Sequence, residues 1–168
     1  MQVLKTYHVF NSIGILRTPY DNRAPYQPVA NDEGEFKIIL EEKYASGLKL
    51  LHTFKYIYVL FALDKIQLRS QQYLLRPPWA PSMEIGVFAS RSPDRPNPIG
   101  LSVVQIKKIV KSTIYISGID AFDGSPVLDI KPYLDLLDAK PDANFGWVTE
   151  TGDETHLALH IKGIAHKH

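Results

Sequence analysis

Apolar and polar residues alternate over much of this chain with the period of two that belongs to strands, and the spacing turns helical between residues 41 and 52. Residues 9–17 (VFNSIGILR) predict a first strand with Ile13 and Ile15 on one face and Gly14 at a bulge or close contact. Residues 35–40 (EFKIIL) predict a second, short strand. Tyr44, Leu48 and Leu51 then fall on one face of a helix, with Glu41 and Glu42 in its first turn, where the helix dipole favours carboxylates. Residues 55–63 (KYIYVLFAL) are apolar, aromatic or β-branched almost throughout, the pattern of a strand buried on both faces. LSVVQIKKIV and STIYISGIDAF predict a long hairpin in which Val104, Ile106, Ile114 and Ile116 alternate with polar neighbours. An Asp-Gly turn (DAFDGSP) ends it, VLDIKPYL continues the sheet, and residues 155–161 (THLALHI) predict a last strand.

Two stretches fit no regular element. Residues 18–31 (TPYDNRAPYQPVAN) form a long loop that its prolines keep from being mobile. In it Tyr26 and Gln27 can stack on and hydrogen-bond to a planar ligand, or pack beneath the loop. Residues 83–101 (MEIGVFASRSPDRPNPIGL) read as a short apolar strand, a stiff loop and a return to strand. Pro93, Pro96 and Pro98 each fix φ, so the tips of Arg91, Asp94, Arg95 and Asn97 are carried on a pre-ordered backbone. The plainer reading is a rigid crossover whose arginines pair with local acids. Gly100 permits a close approach before the next strand. Asp64 and Lys65 follow the apolar strand at its C-terminal end, a common place for ligand-facing side chains.

Composition narrows the function classes. At 168 residues, 45% apolar and 22% charged, the chain suits one soluble globular domain over residues 9–140, with an extension at 141–168 packed on it. The longest apolar run, Ile57 to Leu63, is far too short to span a bilayer, and the N-terminus lacks the zones of a signal peptide, so no membrane association and a cytoplasmic location are expected. The absence of cysteine excludes disulfides, thiolate catalysis and cysteine-ligated metal. No GxGxxG or GxxxxGK[ST] motif occurs, which disfavours Rossmann and P-loop sites. His156 and His160 are four apart, but the alternation of Leu157, Leu159 and Ile161 puts both on the exposed face of a strand, so no metal site is expected there or with His166 and His168. A net charge of +1 neither requires nor forbids nucleic acid. Lys107, Lys108 and Lys111 cluster at the hairpin turn, either as a solvated, aggregation-resistant end or as a nucleic-acid contact.

The stretches IGILRTPY, YQP, GLKLLHTFKYIYVLF, RPP, GVFASRSPDRPNPIGLS and DAFDGSPVLDIKPYL resemble the TrmO/TsaA-like (YaeB-like) family of S-adenosylmethionine-dependent tRNA methyltransferases, from Ile13 to Leu134. The resemblance implies a mainly β fold, a small β-barrel-like domain with one or two short helices. It also implies a homodimer whose cofactor site lies near the subunit boundary. The implied activity is methylation of N6 of threonylcarbamoyladenosine next to the anticodon of tRNA, with S-adenosyl-L-methionine as cofactor and no metal. Carried over by position, the cofactor-binding residues are Tyr26, Gln27 and Pro28, then Asp64 and Lys65, then Arg91 and Leu101, and finally Asp120, Ala121, Phe122 and Asp123. Asp64 and Lys65 stand where better-studied bacterial members carry a His-Gln type pair, and no sizeable domain follows Leu134.

Methyl transfer from a sulfonium needs alignment more than a triad, and positioning alone supplies about 7–11 kcal/mol. Arg91 and Asp123 are the expected catalytic residues. Arg91 would pair with the carboxylate of the cofactor or of the substrate, and Asp120 or Asp123 would hold ribose hydroxyls or the cofactor's amine. Asp94, Asp123 or a backbone carbonyl would take the proton of the adenine amine. The other class of function is a non-catalytic module that binds S-adenosylmethionine or RNA as a sensor or adaptor.

Overall fold

Alternation of side chains across the pleat turns these strands into a barrel with one face inside. The computed structural model describes residues 8–65, 73–77 and 80–151. The predicted strand at 155–161, the four tail histidines, Pro78 and Trp79 lie outside the described residues. The strands are β1 (Gly14–Arg17), β2 (Phe36–Leu40), β3 (Tyr56–Ala62), β4 (Leu74–Leu75), β5 (Ile85–Gly86), β6 (Ile99–Val110), β7 (Thr113–Ile116) and β8 (Pro126–Pro132). Six of them pair in the ring β1-β2-β7-β6-β3-β8, every neighbour antiparallel, and β4 pairs with β5 outside it. The ring closes at a narrow seam, where Gly14 faces Val127 and Ile15 faces Pro126. The mainly β, barrel-like fold expected from the resemblance is the fold observed, with 3₁₀ turns in place of most helices.

Leu16, Ile38, Ile57, Val59, Phe61, Val104, Ile114, Ile116 and Val127 fill the interior. The predicted hairpin is present as β6 and β7, joined at Lys111, whose φ is 52°. A register shift between Ile106 and Lys108 bends β6 there. On β1 Gly14 and Leu16 are buried and Ile15 is exposed, and Gly14 stands at the close contact expected of it: a Cβ there would lie 2.3 Å from the Ile39 carbonyl oxygen. Two expectations are corrected. On β3 the burial alternates, with Ile57, Val59 and Phe61 inside while Tyr58, Leu60 and Ala62 form a half-covered outer face. The helix expected over residues 41–52 is two 3₁₀ turns, Glu42–Leu48 and Leu51–Thr53, separated by Leu50 at φ 68°. Leu48 is the buried residue of the first turn, so a single apolar anchor under a Gly47-containing segment replaces a continuous helical stripe.

After β8 the chain makes one α-helical turn, α1 (Asp135–Asp138), in which Asp138 Oδ2 accepts from Leu134 N–H at 2.7 Å. A 3₁₀ turn at Gly146–Thr151 then brings Trp147 Nε1 to donate to the Ala89 carbonyl at 2.8 Å. The segment after residue 140 thus touches the start of the proline-rich loop.

Candidate functional site

Beyond β7 the chain keeps a period of two without a full ladder, and this sets up the site. Ser117 still binds Gln105, its N–H donating to the carbonyl at 2.9 Å and its Oγ accepting from the Gln105 N–H at 3.0 Å. Ile119 and Ala121 then enter the core, and Asp120 and Phe122 take the opposite side. Gly118 lets the 18–31 loop lie against this segment, since a Cβ there would stand 2.1 Å from the Val29 carbonyl oxygen. Ser102, buried on β6, donates its hydroxyl to Asp120 Oδ1 at 2.5 Å. Burial pushes the Asp120 carboxyl above the ordinary aspartate range, and the Ser102 bond and the positive charge of Arg91 pull against it.

Arg91, on the proline-rich loop, acts on this carboxylate through its charge alone. A 3₁₀ turn at Val87–Ala89 leads into the loop, where Ser90 Oγ donates to the Val87 carbonyl at 2.9 Å and accepts from Ser92 N–H at 3.2 Å. Arg95 braces it from inside, its Nη1 donating to the carbonyls of Ser90 at 3.2 Å and Ser92 at 3.0 Å. The reading in which both arginines pair with local acids therefore fails: Arg95 and Arg91 both donate to carbonyls, and neither forms an ion pair among the described residues. Arg91 donates from Nη2 to the Leu101 carbonyl at 2.9 Å, next in sequence to the Ser102 that bonds Asp120.

A second cluster forms around Asp123. Its Oδ1 accepts from Thr18 N–H at 3.0 Å and pairs with Arg17 Nε at 3.1 Å, and its own N–H donates to the Tyr20 carbonyl at 2.7 Å. Lys65 Nζ donates to the Asp123 carbonyl. Thr18 Oγ1 donates to the Ala121 carbonyl at 2.9 Å. These bonds tie the 18–31 loop to the 120–125 turn. The Tyr20 hydroxyl donates to Asp32 Oδ2, which closes the loop on itself, and burial followed by the Asp32 carboxylate drives the Tyr20 phenol far above its usual pKa. An open cleft here is lined by Arg17, Thr18, Pro19, Glu35, Lys37 and Asp123.

The sequence-expected residues thus separate into groups. Arg91, Leu101 and Asp120 converge through hydrogen bonds and charge. Lys65 and Asp123 meet at the neighbouring turn, and Asp64 is exposed beside Lys65. Tyr26, Gln27 and Pro28 lie on the loop backed by Gly118, with Tyr26 strongly exposed. The Ala121 side chain is in the core and its carbonyl is taken by Thr18, while Phe122 is half-buried. Arg91 does not line the cleft that Asp123 lines. Sequence reasoning did not single out Ser102, Thr18 or Arg17. A signal for Ser102 exists: it sits at period two from the inward Val104, so a hydroxyl in that register faces the interior and needs a partner.

Comparison with known proteins agrees with the barrel and with the loops around it. The model of the tRNA-methyltransferase O N-terminal domain matches residues 15–139. A probable S-adenosyl-L-methionine-binding protein of Archaeoglobus fulgidus is 38% identical over 86% of this chain and 39% of its own length. The tRNA (adenine(37)-N6)-methyltransferase of Escherichia coli is 36% identical over 80% of this chain and 61% of its own length. A crystal structure of TrmO from Pseudomonas aeruginosa superposes with a TM-score of 0.69 at 32% identity, covering 84% of this chain and 62% of that one. The chain therefore spans less than two thirds of each of these relatives. Because the matched span takes in β1 through the turn after β8, with both charged loops inside it, this chain belongs to the tRNA-methyltransferase O N-terminal domain family.

Proposed function

We propose that this protein binds S-adenosylmethionine and transfers its methyl group to N6 of threonylcarbamoyladenosine beside the anticodon of tRNA. The observation that carries this reading is that two separate loops bring opposite charges to adjacent residues of β6, Arg91 bonding to the Leu101 carbonyl and Asp120 to the Ser102 hydroxyl, close enough for the Arg91 charge to act on Asp120. The donor set suits the cofactor: a guanidinium with five N–H donors for a carboxylate, and a half-buried carboxylate for hydroxyl or amine donors. When bound, the cofactor supplies a methyl group already activated on a sulfonium. Arg91, aimed by the Leu101 carbonyl, orients a carboxylate of donor or substrate. Asp120, made more basic by burial, accepts the proton that the exocyclic amine sheds. Tyr26 and Gln27 offer an exposed ring and amide for a base, and Lys65 and Asp123 hold the turn that frames the pocket. This gives Asp123 a positioning role in place of the expected catalytic one.

The outer face of β6 supports a homodimer. Ile99, Leu101 and Val103 are apolar yet exposed, and their register partners Ala62, Leu60 and Tyr58 extend the patch over β3. Such a face beside Arg91 would put the site at the subunit boundary. Among the described residues no helix is long and apolar enough to cross a membrane, and a tRNA substrate would suit a cytoplasmic reaction. The test is transfer of labelled methyl to tRNA bearing the threonylcarbamoyl group, together with calorimetry of cofactor binding. Transfer by the wild type and a folded Arg91→Ala variant with weakened cofactor or substrate affinity is the expected result. Cofactor binding with no transfer to any tRNA would establish a sensor or adaptor instead.

A further inference from the structure

A row of outward side chains crosses four strands of the barrel. Arg17 on β1 stands opposite Lys37 on β2, Lys37 opposite Tyr115 on β7, and Tyr115 opposite Lys108 on β6. Directly opposed residues point to the same side of a sheet, and the inward neighbours Leu16, Phe36, Ile38, Ile114 and Ile116 are buried, so the row faces solvent. Three steps of about 4.8 Å give it a length of about 14 Å. Lys108 Nζ lies 4.3 Å from the Tyr115 ring centroid and Lys37 Nζ lies 5.9 Å from it, so two ammonium groups share one aromatic ring. Lys107 and Lys111 are exposed at the same end of the hairpin.

Two features argue that this row is more than a solvated face. Lysines often guard the open edge of a sheet, but β1, β2, β7 and β6 each have a neighbour on both sides, so these residues have no edge to guard. Arg17 and Lys37, like charges directly opposite one another, oppose the fold, and Arg17 disfavours the charge on Lys37. Glu35, 2.5 Å from Lys37, outweighs Arg17 and raises the Lys37 ammonium's pKa, and Asp123 lies 3.1 Å from Arg17, while Lys108 forms no ion pair among the described residues, so three cations of the row meet two carboxylates. One end of the row is anchored at Asp123, three residues from Asp120.

We propose that the Arg17–Lys37–Tyr115–Lys108 row is the track on which the phosphate backbone of the RNA substrate lies while its target base reaches the Asp120 pocket. This rests on the methyl-transfer reading. Polyanion backbone is the chemistry that three cations set along about 14 Å recognise, and phosphate contacts fix register without reading sequence.

The test uses the full chain, wild type and Lys37→Gln/Lys108→Gln, with an unmodified tRNA transcript and fluorescence anisotropy at stepped salt. The double variant is expected to keep the wild-type cofactor affinity in calorimetry and to bind the transcript more weakly at low salt. Its plot of log affinity against log salt should be shallower by about 1.4, from about 0.7 per phosphate contact on a single strand. A wild type that binds the transcript, with an unchanged slope in the variant, overturns the track and leaves the methyl-transfer reading standing. A wild type that binds polyglutamate as tightly as the transcript assigns the row to acidic protein and overturns it. A wild type that neither binds nor methylates RNA removes both readings.

Discussion

Ser102→Ala isolates the bond on which the pocket's charge depends. Ser102 is 1% exposed and donates to Asp120 Oδ1 at 2.5 Å, so alanine leaves a largely buried carboxylate short of a donor. A hydrogen bond to a charged group is worth about 1.5–3 kcal/mol. For a chain of this size that corresponds to a fall in Tm of about 3–12 °C at neutral pH. The loss must also depend on pH in a particular direction. Burial raises the Asp120 carboxyl and the Ser102 bond lowers it, so the variant's folded form holds its proton to higher pH than the wild type's. The unfolded chains titrate alike, near pH 3.9. Both folded forms are protonated below that value, where the loss is smallest. It grows as pH rises through the wild-type folded pKa and is complete above the variant's. Circular-dichroism melts of both proteins from pH 4 to 8 measure this. A Tm difference that is absent at neutral pH, or of one size throughout, refutes the assignment of Ser102 as the donor that keeps Asp120 ionised.

Asp120→Asn keeps an acceptor for Ser102 and removes the charge. Because the folded pKa is raised, the wild type loses stability as pH climbs through it, so the variant should be the more stable at neutral pH and lose that advantage on acidification, while methyl transfer collapses; a lower neutral Tm for the variant speaks against a costly carboxylate. Gly100→Ala puts a Cβ 2.3 Å from Phe61 Cζ in the core, an overpacking cost of about 1–3 kcal/mol. Calorimetry should show a lower Tm by about 2–12 °C, and an unchanged Tm would mean that the ring moves freely. Val103→Glu places a charge in the exposed apolar face of β6 and should convert a dimer to monomer in sedimentation, with no loss of fold; a variant that sediments like the wild type takes that face out of the interface.

The barrel was legible wherever one face of a strand is apolar and the other polar. The β6–β7 hairpin follows directly from that alternation, down to Val104, Ile114 and Ile116 in the core. Where both faces are apolar the period carries no sign. On β1 the alternation of Ile13 and Ile15 marked one face without saying which is inside, and the buried residues there are a glycine and one leucine. In β3 the outer residues Tyr58 and Leu60 are as apolar as the inner ones, and only the twist of the closed ring decides which set is covered. The 3₁₀ turns at residues 42–53 show the same limit from another side: three apolar residues at helical spacing do not make a helix when Gly47 and a left-handed Leu50 interrupt it.

The site was legible as two loops but not as a pairing. Residues 119–122, Ile-Asp-Ala-Phe, continue the period of two past the end of the ladder, which commits Asp120 to the side opposite Ile119 and Ala121. Asp123 breaks that period, and the Gly124 that follows, at φ 78°, makes it a turn residue whose carboxylate turns away to accept from Thr18 N–H on the other loop. Period and turn chemistry together therefore distinguish two aspartates that composition treats alike. The first half of β6 inverts the usual polarity in the same informative way. Its inward positions, Gly100 and Ser102, are small or polar because the Phe61 ring and the Asp120 carboxylate occupy the space, and its outward positions, Ile99, Leu101 and Val103, are apolar because the barrel needs them for nothing inside. The outward apolar residues of this strand form the face on which the proposed dimer would meet, and its inward hydroxyl holds Asp120. Arg91, bonded to the Leu101 carbonyl on that strand, stands where the two meet.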